Sequence, residues 1–206
     1  MQQSLNPWIT SPGTETPEEE ALDTYLPPAA VISAPLNGMV EPDAADRLAS
    51  RTMAGSAALW VIGAHGGAGE SRIADLLHGR ATGHCWPVLQ EESKPRVLLV
   101  CRADMRGLTA AQSALTQWVS GATPKAELLG LAVLADAPGK TPKALRDFTA
   151  IVGGGAPRLW TLPWVEGWRH GETTTPPSRE YQRFITDLAA LATDTTSTTT
   201  NRKVSP

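Results

Sequence analysis

The feature that most limits the fold of this chain is a set of short apolar runs: residues 58–62 (A-L-W-V-I), 96–101 (R-V-L-L-V-C), 128–135 (L-L-G-L-A-V-L-A) and 158–162 (R-L-W-T-L). The first three are apolar at nearly every position rather than at every second one, the pattern of strands buried on both faces. Helical spacing separates them. Ile73, Ala74, Leu76 and Leu77 mark a helix over 71–77, and a second runs over 108–119, opened by Gly107 and closed by Gly121. A third starts at Pro142, as a first-turn proline allows, and runs to about Val152, where the trio Gly153, Gly154 and Gly155 stops it. A final helix over 178–191 carries Tyr181, Phe184, Ile185, Leu188 and Leu191 on one face. A weaker strand covers 85–89. The expected architecture is a three-layer α/β domain over 57–191, a parallel sheet covered on both faces.

The flanks read differently. Residues 1–46 hold seven prolines, 8 of the 21 acids and none of the 18 bases, so the rest of the chain carries a net charge of +5. Such a segment has too little apolar pattern to offset its ordering entropy and is expected to be a disordered acidic arm, with Trp8-Ile9 and Val31-Ile32 as short exceptions able to dock. The Thr/Ser-rich stretch 193–206 is expected to be a disordered tail. A charge of +5 without a dense Lys/Arg run gives no support for nucleic acid as a partner. No apolar run approaches the roughly 20 residues of a membrane span, and Glu18, Glu19 and Glu20 stand where a secretory signal would be basic and then apolar. With Cys85 and Cys101 as its two thiols, the chain reads as cytoplasmic with free cysteines.

Chemistry concentrates between the first strand and its helix, in Gly63-Ala64-His65-Gly66-Gly67-Ala68-Gly69-Glu70-Ser71. Glycines there let successive amides turn inward around an anion, with the positive end of a helix behind them. On these residues the chain resembles the P-loop NTPases of the deviant Walker A class, the partition and septum-site ATPases, whose loop reads K-G-G-x-G-K-[ST]. Residues 97–111 look like that class's late strand and following helix, and 129–136 like its next strand. The G-A-H-G-G-A-G-x-S loop, the A-D-A-P-G turn and the L-P-W-V-E-G-W-R segment also resemble an actinobacterial branch of unknown function. The resemblance implies a reduced P-loop-like domain in an actinobacterial cell or mobile element, a nucleotide or phosphate with Mg as its ligand, and homodimerisation.

The departures from the motif set the functional expectation. The Walker lysine falls on Glu70 and the signature lysine of the class on His65. A carboxylate about 4 Å from a phosphate charge costs about 4 kcal/mol at an effective dielectric near 20, so ordinary Mg-nucleotide binding is disfavoured. Ser71 keeps the hydroxyl that would touch Mg²⁺. For Glu70 a bland reading stands beside this one, an acid at a helix N-terminus. Returning a lysine to position 70 is expected to restore phosphate affinity if the loop keeps its cradle. Asp136 is either a Walker B residue or, if 128–135 is a late strand, part of the base-side region, with no Walker B present. The second fits better, because only 25 positions separate Ser71 from Arg96.

Arg102, Arg106, Lys140, Lys143 and Arg169 follow strand ends, the edge where α/β sheets bind ligands, and are candidate anion contacts; each alone also reads as an ordinary surface cation. Trp160, Trp164 and Trp168 recur every four residues. Trp160 reads as packing, whereas Trp164 and Trp168 are a candidate interaction patch, expected at the glycine-loop end of the sheet. His84-Cys85 has no second ligand pair at zinc spacing, and His65, His78 and His170 are scattered, so no metal site is expected. The expected function is a non-catalytic pseudo-ATPase that binds or scaffolds a protein partner. The alternative is an active nucleotide-dependent ATPase or switch using His65, Arg102 or Arg106 in place of lysine.

Overall fold

The computed structural model describes Ile32 and residues 34–36, 38–90, 94–173 and 178–194. After a 3-10 turn at Ala44–Asp46 come β1 (Ala49–Thr52), β2 (Trp60–Gly63), α1 (Glu70–Leu76), β3 (Arg80–Ala81), β4 (Cys85–Val88) and β5 (Arg96–Arg102). Then follow α2 (Met105–Val119), β6 (Glu127–Leu134), α3 (Lys143–Gly153), β7 (Leu159–Leu162), α4 (Glu166–Arg169) and α5 (Arg179–Asp194). Five strands form one parallel sheet in the order β3-β2-β5-β6-β7, while β1 and β4 pair in parallel beside it. The fold is the expected three-layer α/β arrangement.

The order has a physical consequence. The chain starts at β2, adds β3 on one side, then crosses back to add β5, β6 and β7 on the other. Crossovers of one hand made in opposite directions put their helices on opposite faces, and the reversal opens a crevice at the carboxyl ends of the strands, between β2 and β5. Accordingly α1 and α5 cover one face, and α2 and α3 the other. Val97, Leu99 and Cys101 of β5 pack beneath α2 with Leu108, Ala111, Leu115 and Trp118. The alternate residues Leu98 and Val100 pack beneath α1 and α5 with Ile73, Tyr181 and Phe184. Two cores fed by alternate residues explain why the strand is apolar throughout.

Several elements differ from the sequence reading. The second helix is not opened by Gly107; it begins at Met105, because the Asp104 carboxylate accepts from the Gly107 amide at 2.6 Å and caps the first turn. The strands β1 and β3 and the single turn α4 were not anticipated. β1 is exposed along its whole length and β3 has two residues, so neither carries a hydrophobic period. What anchors the small sheet is Gln117, buried on α2: its amide oxygen accepts from Leu48 N and Trp86 Nε1, and its amide nitrogen donates to Leu48 O, at 3.0–3.1 Å. Residues 1–31 of the expected arm, with Trp8-Ile9 and Val31, and 195–206 of the expected tail lie outside the described residues. Within the arm, Ile32 packs against the α2 core and Leu36 N donates to Val119 O at 2.8 Å.

Both cysteines are free and buried. Burial, with Asp104 adding, pushes the Cys101 thiol from its ordinary 9.0 up to about 12, and burial raises Cys85 as well. Neither thiol should react with iodoacetamide at pH 8.5 in the native chain, whereas both should after unfolding; rapid native alkylation would contradict this assignment. The sign for stability follows from the raised native value. Unfolded Cys101 ionises near 9.0 while the native thiol holds its proton to about 12, so its contribution is complete below pH 9 and is lost as pH rises toward 12.

Candidate functional site

The glycine loop leaves β2 at the point where the sheet reverses direction. Gly67 (φ +84°) and Gly69 (φ +95°) occupy the left-handed region that glycine alone enters without strain, and a Cβ on Gly69 would meet Leu134 Cδ2 at 2.7 Å. Ala68 N donates to His65 O at 3.2 Å, closing a tight turn, and Ile73 N donates to Gly69 O where α1 begins. Gly66, Gly67 and Ser71 are exposed.

Glu70, the first residue of α1, does not face the loop. Its carboxylate is buried, with Oε1 accepting from Thr82 N and Gly83 N at 2.7 Å and from Thr82 Oγ1 at 3.2 Å. Oε2 lies 3.1 Å from His84 Nδ1. The acid thus pins the turn that follows β3 to the start of α1. His84, read from sequence as half of an isolated pair, is the outer member of this cluster, in a left-handed conformation at φ +58°. Gly63 leaves room for it, since a Cβ there would lie 2.6 Å from His84 Nδ1 and 3.1 Å from Glu70 Oε2 and would displace the ring.

His65 and Arg102 come together across the β2/β5 crevice. His65 Nε2 accepts from Arg102 N at 3.2 Å and Nδ1 donates to Gly66 O at 2.9 Å, a pairing that requires the Nδ1–H tautomer. The Arg102 side chain reaches back, donating from Nε to Gly67 O at 3.2 Å and from Nη1 to Ala135 O at 2.9 Å. It ties the glycine loop to the exits of β5 and β6.

On the α1/α5 side of these exits lies a cavity of about 240 Å³, lined by Arg72, Arg102 and Arg169 together with Trp164, Trp168 and Tyr181. Among the described residues its lining contains no acidic side chain. Arg72 lies over the Trp168 ring at 5.5 Å from its centroid, and Tyr181 meets the same ring edge-on at 5.2 Å. Burial raises the Tyr181 phenol, so it stays a neutral donor, and its hydroxyl bonds to Pro163 O at 3.2 Å. Trp164 is held by Glu166, whose carboxylate accepts from Nε1 at 2.5 Å; that bond, with Arg169 and His170 nearby, keeps the Glu166 carboxyl below its ordinary range. A larger cavity of about 600 Å³ lies above the ends of β6 and β7, lined by Val133, Thr149, Thr161, Leu162, Arg146 and Glu180 among others. The two share Ala135, Pro163 and Trp164 as a common wall.

The segment after β7 therefore sits at the glycine-loop edge with both Trp164 and Trp168 half-buried, and Trp160 is packing, buried with its indole donating to Asp187 at 3.1 Å. Arg102 and Arg169 share a cavity with the two tryptophans. Arg106, Asp136 and Lys140 are exposed and line neither cavity. Arg72 went unnoticed in the sequence because one arginine on a short helix looks like ordinary surface; its place three residues after Gly69 was the available signal. Among the described residues no cluster of three or more His, Cys, Asp or Glu side chains is placed to hold a metal, and no helix is long and apolar enough to cross a membrane.

Residues 57–183 match the model of a family of unknown function, DUF6668, and the chain belongs to that family. No curated protein and no solved structure is significantly similar to it.

Proposed function

We propose that this chain is a non-catalytic binding protein built on a reduced P-loop-like domain, a pseudo-ATPase that works by occupying a partner or ligand rather than by hydrolysis. One observation carries the reading: both positions at which the resembled class places phosphate-contacting lysines are committed to internal structure. Glu70 gives its carboxylate to the Thr82 and Gly83 amides, and His65 gives its ring nitrogens to Arg102 N and Gly66 O. Arg102 donates from Nε to the Gly67 carbonyl, and Arg72 lines the space beside the loop. Neither lysine position therefore offers a cation to neutralise charge developing on a transferred phosphoryl group, the main task of such a site. The asymmetric composition and the half-buried tryptophans at the carboxyl edge fit a protein partner, and the class suggests a homodimer. Phosphate release from Mg-ATP or Mg-GTP by the full chain should equal that of buffer over hours; turnover that is lost in Ser71→Ala would overturn this reading.

A further inference from the structure

The two cavities at the carboxyl edge differ in chemistry and share a wall. One is lined by Arg72, Arg102, Arg169, Trp164 and Trp168 with no acidic residue in its lining; the other is larger and mixed, with Val133, Leu162 and Pro138 on its walls beside Arg146 and Glu180. Glu166 near Arg169 offsets at most one of these three charges, so the cavity attracts an anion, and the multiplicity favours one kind. A carboxylate is saturated by one or two forked guanidinium contacts, whereas a phosphate monoester carries nearly two charges on three terminal oxygens and can accept from three. The Trp168 face fixes Arg72 from beneath, and Arg102 is held by two carbonyls with the rest of its fork left over. Beyond Trp164 the neighbouring space of about 600 Å³ falls in the range that houses a small organic molecule. Glu180, its carboxylate accepting from Ser178 Oγ at 2.6 Å, lines that second chamber together with Arg146, so the chamber has no excess of cations to draw a second phosphate.

We propose that the two cavities are one ligand site for a phosphate monoester of an apolar or aromatic alcohol, the phosphate held by Arg72, Arg102 and Arg169 and the organic body lying past Trp164 in the larger chamber. The site adjoins the glycine loop through Arg102, but no residue of 63–71 lines either cavity, so it does not depend on the chain's being a pseudo-ATPase. Three arginines line one end, Arg146 and Glu180 together line the other, and between them stands an indole that a flat ring can pack against.

The test is titration calorimetry of the full chain at fixed ionic strength with phenyl phosphate, inorganic phosphate and benzoate. Phenyl phosphate should bind at least tenfold more tightly than either of the others. Arg72→Ala combined with Arg169→Ala should weaken both phosphate compounds at least tenfold, and Arg169→Glu alone should do the same. Arg169 is exposed and Arg72 half-exposed, so the melting temperature of each variant should stay near that of the parent and serves as the folding control. Trp164→Ala should reduce phenyl phosphate to the affinity of inorganic phosphate while leaving the latter unchanged. The proposal is overturned if phenyl phosphate shows no heat at millimolar concentration, if the arginine variants bind as the parent does, or if benzoate matches phenyl phosphate. A preference for phenyl phosphate that survives in Trp164→Ala would remove the organic body from the larger chamber. Nucleotide turnover is read separately, so the two proposals fail independently.

Discussion

Glu70→Lys is expected to cost about 3–5 kcal/mol of stability, the loss that follows when one member of a buried, hydrogen-bonded charged cluster is removed and its partners stay behind. For a domain of this size that corresponds to a fall in melting temperature of roughly 6–20 °C, readable by circular dichroism. The cause is local. Thr82 N and Gly83 N both point at Oε1 at 2.7 Å, and an ammonium cannot accept from either. Even if the lysine swings outward to solvent, Gly83 N and the Thr82 hydroxyl lose their acceptor, and Thr82 N keeps only Val61 O at 3.0 Å. Glu70→Gln keeps one acceptor oxygen and should lose about half as much. The sequence alone led to the opposite expectation, that lysine at this position restores a phosphate contact. With the carboxylate serving the turn after β3, Glu70→Lys should instead gain no affinity for Mg-ATP. A variant that melted within two degrees of the parent and bound nucleotide would show that the turn does not rely on this acid.

The second large effect is expected at Gln117. Leucine there has similar volume but satisfies none of the three groups that the amide serves, Leu48 N, Leu48 O and Trp86 Nε1. Buried polar groups left unpaired cost about 1–3 kcal/mol each, and the partial exposure of Leu48 places the sum at about 3–4 kcal/mol. The loss should show as a lower urea midpoint with an unchanged slope. It should also be directional in space, because Gln117 ties β1 to the body from α2. Trypsin cleavage after Arg47 and Arg51, both near this tie, should accelerate in Gln117→Leu well before the sheet itself unfolds. An unaltered midpoint together with unaltered cleavage would mean that water replaces the amide at no cost.

These two residues also mark where sequence reading stops. The strands β2, β5 and β6 were legible because burial on two faces leaves an uninterrupted apolar run, β7 from a shorter run exposed at alternate positions, and α5 because its apolar stripe is five residues deep. Position 70 was visible as a departure from a motif, yet its role was not, since the groups it serves lie twelve and thirteen residues away on a turn with no pattern of its own. Gln117 lies on the buried face of a helix where a polar residue reads as an interruption; only the fold brings Leu48 and Trp86 to it. The same holds for the cleft. Arg102, Arg169, Trp164 and Trp168 could each be picked out by their position after strands, but that Arg72 joins them depends on the reversal of winding that brings α1 beside α5.

Arg102 carries a further consequence. A guanidinium is planar, and two of its nitrogens are already fixed, Nε on Gly67 O and Nη1 on Ala135 O. Two fixed points on a rigid plane leave little rotational freedom, so the direction of the remaining N–H groups is dictated by the main chain and not by a choice among rotamers. Freezing a long side chain on association commonly costs about 0.5–1.5 kcal/mol. At this residue that entropy is surrendered during folding, and any anion reaching the cleft meets a donor whose aim is already set.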